Sequence, residues 1–200
     1  MSSFCFWFPC MNMKKFLFIV IGDKPQAGKT TLANYIAELT GGVRISTSDA
    51  ILPRVAEKVG LTVDEIKSRR KDNPHRFRSE LIVEGDKMAV ENYPPGVACL
   101  DMVNGHNFIV LDGIRRVTEL NATIQKAELL SYKVLVIGTY RPSNKAGADN
   151  TEPDILGLAN YTIFNNGSLR TLKKKAFDIL EDWRIRRRIG CRKSELNTLV

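Results

Sequence analysis

The stretch Ile21–Thr31, "IGDKPQAGKTT", decides how the rest of the chain is read. A phosphate-binding loop has the pattern Gly, four residues, Gly-Lys, then Ser or Thr. Gly28-Lys29-Thr30 supplies the second half. Asp23 stands where the first Gly belongs, and Gly22 lies one place too early. Context decides between a working loop and a chance match. "KFLFIVIG" (Lys15 to Gly22) precedes the loop and reads as a buried parallel strand. "KTTLANYIAELTGG" follows as a helix closed by Gly41-Gly42. Strand, glycine-bearing loop and immediate helix are the setting in which the motif carries chemistry.

In that setting Asp23, Lys24, Pro25, Gln26, Ala27, Gly28, Lys29, Thr30 and Thr31 are the candidate nucleotide-binding residues. Backbone N–H groups at the helix start face phosphate oxygens. Lys29 reaches the β- and γ-phosphates, and Thr30 is suited to hold Mg²⁺. Asp is among the few residues that tolerate left-handed backbone, so Asp23 need not destroy the turn. A second motif supports the first: "NFIVLDG" (Asn107 to Gly113) is an apolar strand ending in Asp112, the Walker B position beside the metal. Two motifs in the right order, each on its own strand, imply ATP with Mg²⁺.

Working outward, "VRIST" (Val43 to Thr47) is a short second strand ending at Ser48-Asp49. Helices follow over Ala50 to Val59 and over "TVDEIKSRRK", where Thr62 and Glu65 form a capping box. "HRFRSELIVEGDKMAVENY" has apolar residues at helical spacing and stops at Pro94-Pro95. "VTELNATIQKAELLS" is a helix, "YKVLVIGTY" a fourth strand, "RPSNKAGADNTEPD" a polar loop and "YTIF" a fifth strand. The last helix repeats Leu169, Leu172, Ala176, Leu180 and Trp183 on one face. Alternating strands and helices predict an α/β, three-layer P-loop NTPase fold: about five parallel strands with a helical insertion between Asp49 and Gly105.

Two hundred residues at 44% hydrophobic and 26% charged suit one domain with a real core. Residues 14–200 are read as that domain, and 1–13, with the apolar "SSFCFWFPC", as a flexible extension. That stretch lacks the basic start and cleavage site of a signal peptide. No run is long enough to span a membrane. Four cysteines without paired spacing point to a reducing, cytoplasmic setting, the host cytoplasm if the protein is viral. The net charge of +8 is concentrated: Ser168 to Lys193 holds ten Lys/Arg against three Asp/Glu. A localised basic stripe suits a polyanion such as DNA, although a solvated helix end explains it too.

A GTPase would carry Asn-Lys-x-Asp after a late strand; Asn144-Lys145-Ala146-Gly147 lacks the carboxylate. A small kinase fits the compact core better. The blocks "DKPQAGKTT", "DGIRRVTEL", "RPS", "DNTEPD" and "IFNNGSLRTLKKK" occur in an order that resembles phage deoxynucleoside monophosphate kinase-like proteins. The chain is most similar to the branch of phage P-loop kinases that phosphorylate 5-hydroxymethyluracil within DNA, a step in thymidine hypermodification. "GLTVDEIKSRRK" and "RFRSELIVEGDKMAVENYP" look like that branch as well, and the likeness covers most of Phe16 to Trp183. The resemblance implies an ATP-dependent kinase of phage DNA modification acting on the 5-hydroxymethyl group of deoxyuridine in DNA. The alternatives are a kinase for free dNMPs and a nucleic-acid-binding P-loop ATPase.

Remaining candidates follow from position. Asp49 sits at the carboxyl edge of the sheet, where ligands bind, and is a candidate catalytic base or a helix N-cap. Asp86 is a second candidate for the same role. Arg115 and Arg116, past the Walker B strand, are candidates for stabilising the transferring or acceptor phosphate. Arg141 is a candidate lid arginine at the nucleotide. Arg69, Arg70, Arg76 and Arg78 are candidates to line an acceptor channel, while Asp149 and Glu152 are candidates for positioning the lid. His75 and His106 have no partner spacing and read as incidental.

Overall fold

The computed structural model describes residues 15–22, 25–73, 75–142 and 155–183. Readings placed on Asp23, Lys24, Asn144, Lys145, Asp149, Glu152, the extension 1–13 and the basic run after Trp183 lie outside these residues.

Among the described residues five strands form one parallel sheet: β1 (Lys15–Gly22), β2 (Val43–Ser46), β3 (Phe108–Asp112), β4 (Tyr132–Tyr140) and β5 (Tyr161–Phe164), in the order β2-β3-β1-β4-β5. β1 is central and buried on both faces from Phe16 onward, as its unbroken apolar run requires. Alternate side chains divide the core in two. Phe16, Phe18 and Val20 pack under α1 (Lys29–Thr40) and α7 (Leu169–Asp182), against Leu32, Ile36, Leu172, Ala176 and Leu180. Leu17, Ile19 and Ile21 pack on the other face with Cys99, Leu100, Leu120 and Ala127, from α5 (Pro95–Met102) and α6 (Val117–Leu129). The third, smaller core joins α2 (Thr47–Val59), α3 (Val63–Asp72) and α4 (Arg78–Val90) through Ile51, Leu52, Val55, Ile66 and Met88. That is the helical insertion, and it stands beside the carboxyl edge of β2 and β3.

Local chemistry accounts for most boundaries. Gly41 closes α1 in the left-handed conformation, with its N–H on Ala37 O. Thr62 caps α3, and Glu65 returns the bond to the Thr62 N–H at 2.8 Å.

Three expectations are corrected. The second strand stops at Ser46, and α2 begins at Thr47 rather than at Ala50. Ser46 is its N-cap, with Asp49 three residues in, completing a capping box; Asp49 itself is not the N-cap. α4 ends at Val90, and Pro94-Pro95 does more than stop a helix. Pro95 opens α5 at the first helical position, where its missing N–H costs nothing. Leu169 does not join the core face of the last helix; it is exposed, while Trp183 packs edge-on against Phe16 and Phe18.

Candidate functional site

The carboxyl ends of all five strands share one edge: Val20 pairs with Asp112, Ser46 with Asp112, Gly22 with Thr139 and Tyr140 with Phe164. Ligands of open α/β sheets bind outside this edge. The loop between β1 and α1 is held there from beneath. The Thr139 hydroxyl and the Asn165 side-chain amide both donate to Ala27 O, each at 2.9 Å. Drawing that carbonyl back toward β4 and β5 lets the following amides turn outward. Gln26 (φ 63) and Gly28 (φ 102) carry the positive backbone angles of the turn. A Cβ at Gly28 would lie 2.3 Å from Asn165 Nδ2, so the position takes only glycine. The N-cap of α1, Gly28, has no side chain to cap the first turn, and that turn has no acidic residue. The positive end of its dipole favours an anion. The loop therefore fits phosphate.

Gly22, the residue one place too early for the motif, has its own requirement. A Cβ there would sit 2.9 Å from both Lys29 Cγ and Thr139 O. The glycine lets the Lys29 stem lie back across the end of β1.

Two cavities meet at this loop. One, of ≈ 460 Å³, is lined by Gln26, Gly28, Lys29, Thr30, Thr31, Arg141, Asn165, Gly167, Ser168, Leu169 and Leu172. The other, of ≈ 230 Å³, lies on the insertion side, against α2, α3 and α4. Lys29 and Thr30 line both. The second cavity is strongly polar. Lys29, Arg70, Arg78, Arg115 and Arg116 line it together with the carboxylates of Asp86, Asp112 and Glu119. Among the described residues, five cationic groups against three carboxylates favour an anionic occupant.

Asp112 is 2% exposed and is gripped by Arg44 of β2, whose Nη2 lies 2.8 Å from Oδ2 and 3.1 Å from Oδ1. Thr30 and Asp112 line the same cavity, giving hard oxygen donors of the type Mg²⁺ takes. Among the described residues no group of three or more His, Cys, Asp or Glu is placed to hold a metal ion.

Glu119 is the other buried acid. Its Oε1 accepts from the Gly96 N–H at 3.1 Å and its Oε2 from the Arg115 N–H at 3.4 Å, tying the start of α5 to the turn after β3. Burial pushes its carboxyl above the ordinary value, and the two backbone bonds pull the other way. Burial likewise lowers the Arg70 guanidinium, which feels Asp49 and, unfavourably, Arg115.

The structure thus brings Lys29, Thr30, Asp112, Arg115 and Arg116 to one cavity, with Arg70, Arg78 and Asp86 from the insertion. Pro25 lines that cavity as well, and Arg141, Gln26 and Thr31 line the other. Asp49, Arg69 and Arg76 line neither. The Asp49 carboxylate is occupied by the Ser46 N–H at 3.0 Å and by Lys67 Nζ at 3.4 Å. Arg44, Glu119, Thr139 and Asn165 were not singled out by sequence. Arg44 left one signal, a charge within a short strand of otherwise uncharged residues; Glu119 left another, an acid at helical spacing with Leu120, Thr123 and Ala127, the face that the structure buries. The carbonyl clasp by Thr139 and Asn165 left none.

The parallel sheet, the strand–loop–helix at residues 15–40 and the acid ending β3 make this an α/β P-loop NTPase fold. No protein-family model matches the chain, and no curated protein matches it. Solved structures similar to it include shikimate kinase from Acinetobacter baumannii in complex with shikimate (18% identity, 84% of this chain and 94% of that one, TM-score 0.46). Shikimate kinase from Aquifex aeolicus is similar at 13% identity over 85% of this chain and 99% of that one, with a TM-score of 0.49. Dephospho-CoA kinase from Campylobacter jejuni is similar at 17% identity over 84% and 97%, with a TM-score of 0.39. These likenesses are ones of fold. No helix among the described residues is long and apolar enough to cross a membrane.

Proposed function

We propose that the protein is an ATP-dependent phosphotransferase whose acceptor is the 5-hydroxymethyl group of 5-hydroxymethyl-deoxyuridine in phage DNA. The observation that carries phosphotransfer is the position of Lys29 and Thr30 in the wall between two cavities. In this reading ATP occupies the Arg141 side, its phosphates run along the loop, and the γ-phosphate emerges toward the acceptor. Bound Mg²⁺, held through Thr30 and Asp112, would neutralise the charge of the β- and γ-oxygens. Lys29, with Arg115 and Arg116, stabilises the phosphoryl group in transit.

The acceptor assignment draws on the sequence resemblance and on the charge of the second cavity. Arg70, Arg78, Arg115 and Arg116 suit an acceptor that carries phosphate. At ≈ 230 Å³ this cavity is sized for part of a single nucleotide, not for a duplex. A target base in DNA would be flipped out of the stack to enter. The same size favours a second reading, a kinase for free dNMPs, whose own phosphate the arginines would bind.

Labelled ATP offered with hydroxymethyluracil duplex DNA, and separately with free dNMPs, decides between them. Label in the DNA is expected; label only in the monophosphates overturns the DNA assignment. Label in neither, with DNA-stimulated ATP hydrolysis, would instead support an ATPase. Lys29→Ala is expected to abolish transfer while leaving the thermal midpoint unchanged. Retained transfer would refute the loop assignment.

A further inference from the structure

We propose that Asp86 is the general base that takes the proton from the acceptor hydroxyl. The inference rests on the alcohol-acceptor reading above. A phosphate acceptor is already an anion at neutral pH, whereas an alcohol must lose a proton as its oxygen attacks. A carboxylate in the acceptor cavity is therefore required of one reading and not of the other.

Among the described residues three carboxylates line that cavity, and two are already committed. Asp112 is held through both oxygens by Arg44 and stands at the metal position. Glu119 is 8% exposed and spends one oxygen on each of two backbone N–H groups. Asp86 differs. It lines the cavity, its side chain is 45% exposed, and Arg116 Nη2 pairs with Oδ1. Asp49 is occupied by the Ser46 amide and Lys67, outside the lining.

The placement of Asp86 is enforced by the insertion. Met88 of α4 is buried in the core shared with α2. On the same helix Glu84 pairs with Lys58 of α2, and Glu91 just beyond its end takes two bonds from Arg54 of α2. α4 cannot rotate without breaking these contacts, so Asp86 stays turned to the cavity. The other charged groups that line the cavity are Arg78 of its own helix, Arg70 of α3, Lys29 and Asp112 at the sheet edge, and Arg115, Arg116 and Glu119 beyond β3.

The step balances as follows. The hydroxymethyl oxygen bonds to the γ-phosphorus as the bond from that phosphorus to the β–γ bridging oxygen breaks. ADP leaves with that electron pair. The hydroxyl proton passes to Asp86 Oδ2 and from there to water after the product departs. Arg116 holds the carboxylate in place and lies beside the group being transferred.

The test compares wild type, Asp86→Asn and Arg116→Met on hydroxymethyluracil duplex DNA. Removing a general base lowers kcat by about 10²–10⁴-fold, so Asp86→Asn is expected to fall in that range with KM for ATP and DNA unchanged. Hydroxide then replaces the missing base. The Asp86→Asn rate should climb about tenfold per pH unit above neutrality while wild type stays flat. Arg116→Met breaks the same ion pair but keeps the carboxylate, and its rate should stay flat with pH. The proposal is overturned if Asp86→Asn keeps kcat within threefold of wild type, if its loss lies in KM, or if both variants show the same pH slope. Wild type that labels only free dNMPs also overturns it, by a separate readout that condemns the acceptor and not the residue.

Discussion

Arg44 of β2 and Asp112 at the end of β3 form an ion pair in which one guanidinium nitrogen reaches both carboxylate oxygens, at 2.8 and 3.1 Å. The acid is 3% exposed at its side chain and the arginine 29%. A buried carboxylate in this position is stable only with a partner. Arg44→Met is expected to destabilise the protein by about 3 kcal/mol, the lower end for breaking a buried pair because Arg44 is partly solvated. Urea unfolding measures this. Mg²⁺–ADP should raise the thermal midpoint more in the variant than in wild type, because a cation would then supply the missing charge. Equal shifts would mean that Asp112 does not face the metal.

The loop clasp makes a sharper prediction. Gly28→Ala places a methyl group on Asn165 Nδ2 at a φ of 102°, which L-residues avoid. The backbone term alone costs about 1–2 kcal/mol, so nucleotide affinity should fall by at least about fivefold. Adding Asn165→Ala removes the collision but not the backbone strain, and it frees Ala27 O from one of its two donors. The double variant should therefore recover only part of the loss. Full recovery, measured by calorimetric titration with ADP, would show that φ at Gly28 is not limiting.

Glu119 should leave a signature in the pH dependence of stability. Burial pushes its carboxyl above the ordinary 4.5. Between the ordinary value and the raised one, the folded chain holds a proton that the unfolded chain has released. The stability this residue contributes therefore falls as pH rises through that interval. Glu119→Gln removes the titration and leaves an amide in place of one acceptor. Wild-type stability minus variant stability is expected to decline as pH rises from about 4.5 upward. A difference that is flat or rising in urea unfolding at several pH values would count against a buried acid at this position.

Cys99 offers a check on the packing between sheet and insertion. Its side chain is fully buried, its thiol donates to Ser46 O at 3.3 Å, and burial pushes the thiol up to about 12. Iodoacetamide attacks the thiolate, so the peptide containing Cys99 should stay unmodified in native protein at pH 8 and react fully in denaturant. Labelling in the native state, read by mass spectrometry, would mean that α5 opens away from β2.

The sequence alone determined the central architecture. The limits of β1, β4 and β5 and the capping of α3 were legible because they depend on short-range causes: an unbroken apolar run, a Thr-x-x-Glu box, a glycine after the last turn. Gly-Lys-Thr and the Asp ending β3 were legible because a phosphate loop needs fixed residue types at fixed spacing. The start of α2 was misread because Thr47 reads equally well as strand or helix, and only the Ser46–Asp49 box resolves it. Tertiary structure decided the rest. It joined Arg44 to Asp112 across two strands, and it brought Thr139 and Asn165 under Ala27 from more than a hundred residues away. It also turned Asp86 and Arg116 toward one cavity while tying Asp49 to a capping box. Such pairings depend on which strands lie side by side and on which helix face is buried, and no local pattern encodes them.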